Sequence, residues 1–193
     1  MNSLLSKIKD CQLCLPHLSH GVNPVISVSE KSRIIIIGQA PGSVVHRTGI
    51  PWDDKSGDRL RSWLGVSKEA FYNEDLFALI PMAFCYPGKG KSGDLPPRPE
   101  CAPQWHDLVL NQIEKKELII LIGTYAQQYY LKKLVKKNLT TTVKNFADYL
   151  PNYLPLPHPS PRNNIWLKKN EWFEAAVIPE LKNRIKMICE REL

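Results

Sequence analysis

Apolar residues along this chain alternate between short unbroken runs and stretches spaced by three or four. "KSRIIIIG" (31–38) is β-branched and apolar without alternation, the pattern of a strand covered on both faces, and it ends in glycine. "SGDRLRSWLGV" (56–66) sets Leu60, Trp63 and Leu64 at helical spacing, with Ser56 as the expected N-cap and Gly65 as the stop. "LFALIPMAFC" (76–85) reads as a second buried strand, in which Pro81 has to lie at an edge, a bulge or the strand's end because it has no amide hydrogen. "CAPQWHDLVLNQI" (101–113) predicts a helix, "ELIILIGTYA" (117–126) a third strand with a glycine near its tip, and "TYAQQYYLKKLVKK" (124–137) the helix that follows. "NYLPLPHPSPRNN" (152–164) is too rich in proline for either element. "NEWFEAAVIPELKNRIKMICEREL" (170–193) closes the chain as an amphipathic helix bent at Pro179.

Strands separated by helices predict an α/β fold, a mostly parallel sheet wrapped by helices with its ligands at the carboxyl ends of the strands. The loop after Ile37, the glycine after Ile122 and the segment around His158 then converge on one sheet edge. With 193 residues the chain suits one domain spanning 1–193. No stretch is long and apolar enough to span a membrane. The opening "MNSLLSKIKDCQLC" has neither the apolar run nor the cleavage site of a secretion signal, so a cytoplasmic location is expected. A net charge of +7 favours a polyanionic partner without identifying one.

The chemistry gathers where "IIIIGQAPGSVVHRTGIPWDD" (34–54) breaks from strand into glycine, glutamine and proline. A Gly38-Gln39-Ala40-Pro41-Gly42 turn lets main-chain amides come close to a ligand, or is an ordinary tight turn. It matches neither the dinucleotide-binding fingerprint nor a P-loop. Trp52, stiffened by Pro51, offers an aromatic plane on which a base can stack, although a lone tryptophan more often belongs to a core. His158 lies between prolines and is followed by Ser160 and Arg162, a grouping suited to hydrogen bonding a developing anion and gripping phosphate. Lys89, Lys91, Arg98, Lys168 and Lys169 are candidates for the walls of such a groove. The five cysteines form no evident disulfide framework. Cys11 and Cys14 make a C-x2-C pair, and Cys85 and Cys101 flank a proline- and glycine-rich loop. Four thiols suit an iron-sulfur cluster or structural zinc, and His17 could replace a thiolate in the zinc case. Cys189 reads as a small apolar residue.

Taken in order, "IIIIGQAPG", "TGIPWDDKSGDRL" and the late "HPS" resemble the uracil-DNA glycosylase superfamily, most closely its thermophile-type family 4. The matching positions are Gly38, Gln39, Pro41, Gly42, Gly49, Pro51, Trp52, Gly57, Leu60, His158, Pro159 and Ser160. The resemblance implies a three-layer α/β/α fold with a central four-stranded sheet. It implies hydrolysis of the N-glycosidic bond of uracil or a related deaminated base in DNA, by a protein for which one site, and so a monomer, suffices. The partner would be DNA containing a damaged base, flipped out of the stack.

By the same resemblance His158 would stabilise the base anion. Gln39 and Asp53 would stand near the attacking water, and Gly38, Gln39, Ala40 and Trp52 would hold the base. Pro159, Ser160 and Arg162 would meet the DNA, and Cys11, Cys14, Cys85 and Cys101 would hold a 4Fe-4S cluster, with structural zinc as the alternative. Two positions depart from the family pattern. Gln39 stands where an acidic residue is common, leaving His46, Asp53 and Asp54 as nearby substitutes. Pro81 stands where many members carry the asparagine that reads uracil. A catalytically weak or inactive member that binds nucleic acid or a nucleobase is therefore the alternative function, and an unrelated α/β enzyme acting on a nucleotide or phosphate ester is a third.

Overall fold

In the computed structural model, which describes residues 1–191, four strands form one parallel sheet in the order β2-β1-β5-β6. The elements run α1 (Asn2–Lys9), β1 (Ile34–Gly38), α2 (Ser43–Thr48), α3 (Lys55–Leu64), α4 (Lys68–Phe71) and β2 (Phe77–Pro81). A small hairpin of β3 (Lys89–Gly90) and β4 (Gly93–Asp94) precedes α5 (Cys101–Leu110), β5 (Leu118–Ile122) and α6 (Gly123–Leu131). The chain ends with α7 (Leu139–Lys144), β6 (Tyr153–Leu156), α8 (Asn164–Lys169) and α9 (Ile178–Glu190).

Side chains of a strand alternate between faces, so the isoleucine run of β1 supplies both cores at once. Ile34 and Ile36 join Leu60, Trp63 and Leu64 of α3 and Leu181 and Ile185 of α9 on one face. Ile35 and Ile37 join Ile8 of α1, Val109 of α5 and Ala126 of α6 on the other. Helices on both faces of a parallel sheet make the three-layer α/β/α architecture. Each fully buried isoleucine contributes on the order of 1.5–3 kcal/mol, which is why four consecutive ones fix the centre of the sheet.

Three elements differ from the sequence expectation. Tyr153–Leu156 forms β6 inside the segment expected to be neither strand nor helix. It pairs with β5 alone, so Pro155, opposite Leu121, sits in an edge strand where a missing amide hydrogen is tolerated. The N-cap of α3 is Asp54 instead of Ser56, because the Asp54 carboxylate accepts the Gly57 amide at 2.9 Å. The final helix is not simply bent at Pro179. A π-helical turn, Phe173–Val177, runs directly into α9, and Pro179 follows it as the second residue of α9, where the hydrogen-bond pattern changes from π to α. The part of that expected helix at 192–193 lies outside the described residues. Pro81 is the last residue of β2, and the outer edge of β2 is bridged by Ser27 to Leu79.

His106 of α5 is fully buried beneath the end of β2. Its Nε2 lies 3.1 Å from the Pro81 carbonyl oxygen, which can only accept, so Nε2 carries the proton and Nδ1 accepts the Tyr130 hydroxyl at 2.6 Å. Desolvation pushes its pKa down to about 4 from 6.5. Between those values the unfolded chain binds the extra proton and the folded chain does not, so stability is level above pH 6.5 and falls as pH drops below it. Urea titrations at pH 7 and pH 5 should show wild type losing on the order of 1–2 kcal/mol more than His106→Asn; equal losses would place the buried proton elsewhere.

Candidate active site

The carboxyl ends of β1, β2 and β6 open into a cleft of about 810 Å³, at the sheet edge where a parallel α/β fold presents its loops. Gly38, Gln39, Ala40, Pro41 and Gly42 form its floor, Trp52, Asp54, Lys55 and Ser56 one wall, and His158, Ser160, Arg162 and Asn163 another. Ser92 to Leu95, from the hairpin loop, close a third side, and Pro81 lies at the base.

Trp52 is shaped by its neighbours. Its φ of 58° is left-handed, a conformation uncommon in residues other than glycine and typical of sites where surroundings over-determine the backbone. A Cβ on Gly57 would collide with the Trp52 carbonyl oxygen, and a Cβ on Gly38 would lie 2.9 Å from its indole. Glycine at both positions therefore admits the tryptophan. Arg61, buried in α3, reaches the Trp52 carbonyl at 3.4 Å, pairs with Asp58 at 2.6 Å and lies over the Phe71 and Tyr72 rings. The Tyr72 hydroxyl donates to the Pro51 carbonyl at 2.9 Å. The loop from Gly49 to Asp54 is thus clamped from beneath, leaving the indole half-buried at the cleft wall, 5.7 Å from the His158 ring.

His158 is held with equal care. Buried Gln127 of α6 donates to the carbonyls of Leu121 and Leu156, fixing the end of β6 two residues before the histidine. Asn163 donates to the His158 carbonyl at 2.7 Å, and Arg59 reaches the Ser160 carbonyl at 3.2 Å. The Ser160 amide donates to His158 Nδ1 at 3.2 Å, so the proton of the neutral ring sits on Nε2. Desolvation lowers the His158 pKa below the ordinary imidazole value, outweighing the fields of Asp54 and Asp94. The cleft thereby holds a neutral imidazole with one donor of fixed position.

Of the residues singled out from sequence, Gly38, Gln39, Ala40, Trp52, His158, Ser160 and Arg162 line this one cleft. Pro159 is buried and absent from its walls. Asp53 is absent too; its carboxylate bears on Tyr72, and the next residue, Asp54, lines the cleft while capping α3. His46 packs against His20 and Tyr86 outside the lining. Lys89, Lys91, Arg98, Lys168 and Lys169 are not lining residues either. Gln127, Arg61 and Asp94 were not singled out, and no local motif marks them: each works through contacts made by distant segments.

Cys11, Cys14, Cys85 and Cys101 line a second, smaller pocket with Leu13, Val22, Pro24 and Phe84. Burial pushes the Cys101 thiol up to about 12, and the Phe84 amide donates to its sulfur at 3.4 Å. The Trp105 indole N–H, also at this pocket, is buried without a partner. Among the described residues no group of three or more His, Cys, Asp or Glu side chains is drawn together closely enough to hold a metal ion. Cys189, read as a small apolar residue on the final helix, is exposed on α9.

These features make an open cleft over an α/β sheet edge, with an aromatic wall and a single fixed imidazole donor. A family model described as the uracil DNA glycosylase superfamily matches residues 26–182, and the chain belongs to that superfamily. It is also similar to the type-4 uracil-DNA glycosylase of Thermotoga maritima, with 26% identity over 165 residues covering 83% of this chain and 81% of that protein. No helix among the described residues is long and apolar enough to cross a membrane.

The clamp under Trp52 has a measurable worth. Arg61→Ala leaves the Trp52 carbonyl and Tyr72 hydroxyl short of a buried partner and should cost about 1–3 kcal/mol in denaturant unfolding. An unchanged midpoint would mean that the loop is held by Gly57 and Asp54 alone.

Proposed function

We propose that this protein is a DNA glycosylase that hydrolyses the N-glycosidic bond of uracil or a related deaminated base. The observation that carries the reading is the pairing of Trp52 and His158 across one cleft, with the Nε2 proton of a neutral imidazole available beside an aromatic plane. A nucleotide flipped from the stack would enter the cleft and stack on Trp52. The main-chain amides around Gln39 and Ala40 would hydrogen-bond the base edge, and Ser160 and Arg162 would meet the flanking phosphates.

Cleavage sends the C1′–N electron pair onto the base and leaves a cation-like sugar. Catalysis then rests on a donor already in position where the negative charge appears, which is what His158 supplies. A neutral histidine suits this role because the cleft disfavours the imidazolium even before substrate excludes water. DNA is the partner of this reading, bound through a chain of net charge +7, and one cleft per molecule makes a monomer sufficient.

The cysteine pocket is assigned a 4Fe-4S cluster on the family 4 resemblance, with structural zinc as the alternative. The support from the structure is that all four thiols line one pocket. Cys11, Cys14, Cys85 and Cys101 would hold the cluster. Its contribution would be structural, joining the segment after α1 to the loop between β2 and α5.

A second reading, a superfamily member that binds DNA or a nucleobase with little cleavage, is favoured by Gln39 and Pro81, neither of which carries the charge or amide common at its position.

With enzyme in excess over a duplex or single strand carrying one uracil, hypoxanthine or xanthine, alkali-labile abasic sites should form, and His158→Ala should slow them by about 10²–10³-fold. No abasic product from any of the three would leave the binding reading in place. Anaerobically purified protein should contain iron and sulfide, and Cys101→Ser should lose both and melt earlier; iron-free protein with bound zinc would reverse the cluster assignment.

A further inference from the structure

The cleft has a carboxylate that neither the motifs nor the helix cap accounts for. Two acidic side chains line it, Asp54 and Asp94. Asp54 is fixed by its role as helix cap, its Oδ1 accepting the Gly57 amide at the start of α3. Asp94 ends the hairpin strand β4 on the opposite side, 3.7 Å through Oδ2 from the point where a Cβ of Gly42 would be. Its Oδ1 accepts a long hydrogen bond, 3.4 Å, from the Tyr86 hydroxyl. Among the described residues it forms no ion pair. The fields of both carboxylates reach the His158 imidazole, that of Asp54 more strongly. The hairpin is tied across the cleft by Arg162, whose guanidinium packs on the backbone of Gly93.

We infer that Asp94 is the carboxylate that faces the reacting sugar, taking the place of the acid missing at Gln39. The inference rests on the glycosylase reading. A cleft that already contains Lys55 and Arg162 disfavours a cation-like sugar, and a neutral glutamine amide cannot offset that charge. Asp94, held only by the long Tyr86 bond and not by a helix cap, can turn toward it. In the hydrolysis the C1′–N bond breaks with its electron pair going to the base, and the oxygen of a water molecule bonds to C1′. The proton of that water passes to Asp94 and on to solvent, and the base anion takes a proton from solvent. A hairpin, and not the first strand's loop, then supplies the acid, so its sequence position is far from the motif that lacks it.

The test compares binding of two non-cleavable duplexes, one with a neutral tetrahydrofuran abasic site and one with a cationic pyrrolidine in its place. Wild type should bind the cationic duplex at least about tenfold more tightly, and Asp94→Asn should lose that preference while keeping its affinity for the neutral duplex. Retention of the preference in Asp94→Asn, its loss in Asp54→Asn instead, or equal binding of both duplexes by wild type would each overturn the assignment to Asp94. Failure of wild type to bind either duplex would overturn the glycosylase reading and the inference with it, so the two failures are told apart.

Discussion

The cleft depends on one steric constraint: Trp52 fits only because two positions that touch it have no side chain. Gly57 lies directly under the Trp52 carbonyl, and Gly38, at the end of the central strand, lies against the indole. One glycine belongs to α3 and the other to β1, so the tryptophan records how closely helix and strand approach. Arg61, Asp58 and Tyr72 convert that contact into a clamp by taking up the polar groups of the loop. The left-handed backbone of Trp52 is held by packing and hydrogen bonds made elsewhere, which is how a strained residue persists at a site.

The rest of the site is assembled from segments far apart in sequence and brought to one edge by parallel strands. Gln127 anchors the end of β6 from beneath, Asn163 and Arg59 hold the following turn from its sides, and His158 is left with one nitrogen occupied. On the other face of the sheet the cysteine pocket and the base of the cleft share a layer. Phe84, whose amide reaches Cys101, stacks on His106, and His106 holds the carbonyl of Pro81 in the cleft. A change at the thiols would thus be felt at the base of the cleft through buried contacts.

Much of this was legible in the sequence, for identifiable reasons. The isoleucine run, the glycine after it and the spacing of Leu60, Trp63 and Leu64 are strong local signals that agree with the tertiary structure. The four cysteines were legible from spacing as one group, and they share one pocket. β6 was hidden because Pro155 argues against a strand unless that strand is known to lie at an edge, which is a property of the whole sheet. Asp54, and not Asp53, lines the cleft because the cap of α3 falls two residues before the expected Ser56. Asp94 could not be singled out because a two-residue hairpin in "GKGKSGD" carries no periodic signal. The roles of Gln127 and Arg61 arise from contacts with distant backbone and leave no mark on their own surroundings.

The central claim is that a nucleotide leaves the DNA stack and lodges against Trp52. It is tested most directly by placing 2-aminopurine beside a non-cleavable 2′-fluorouridine in a duplex and following its fluorescence on binding. The account predicts a rise with wild-type protein, as the neighbouring base unstacks, and little or none with Trp52→Ala under conditions where that variant is bound. Saturated binding by wild type with no change in fluorescence would contradict it, for the protein would then hold the duplex without opening it.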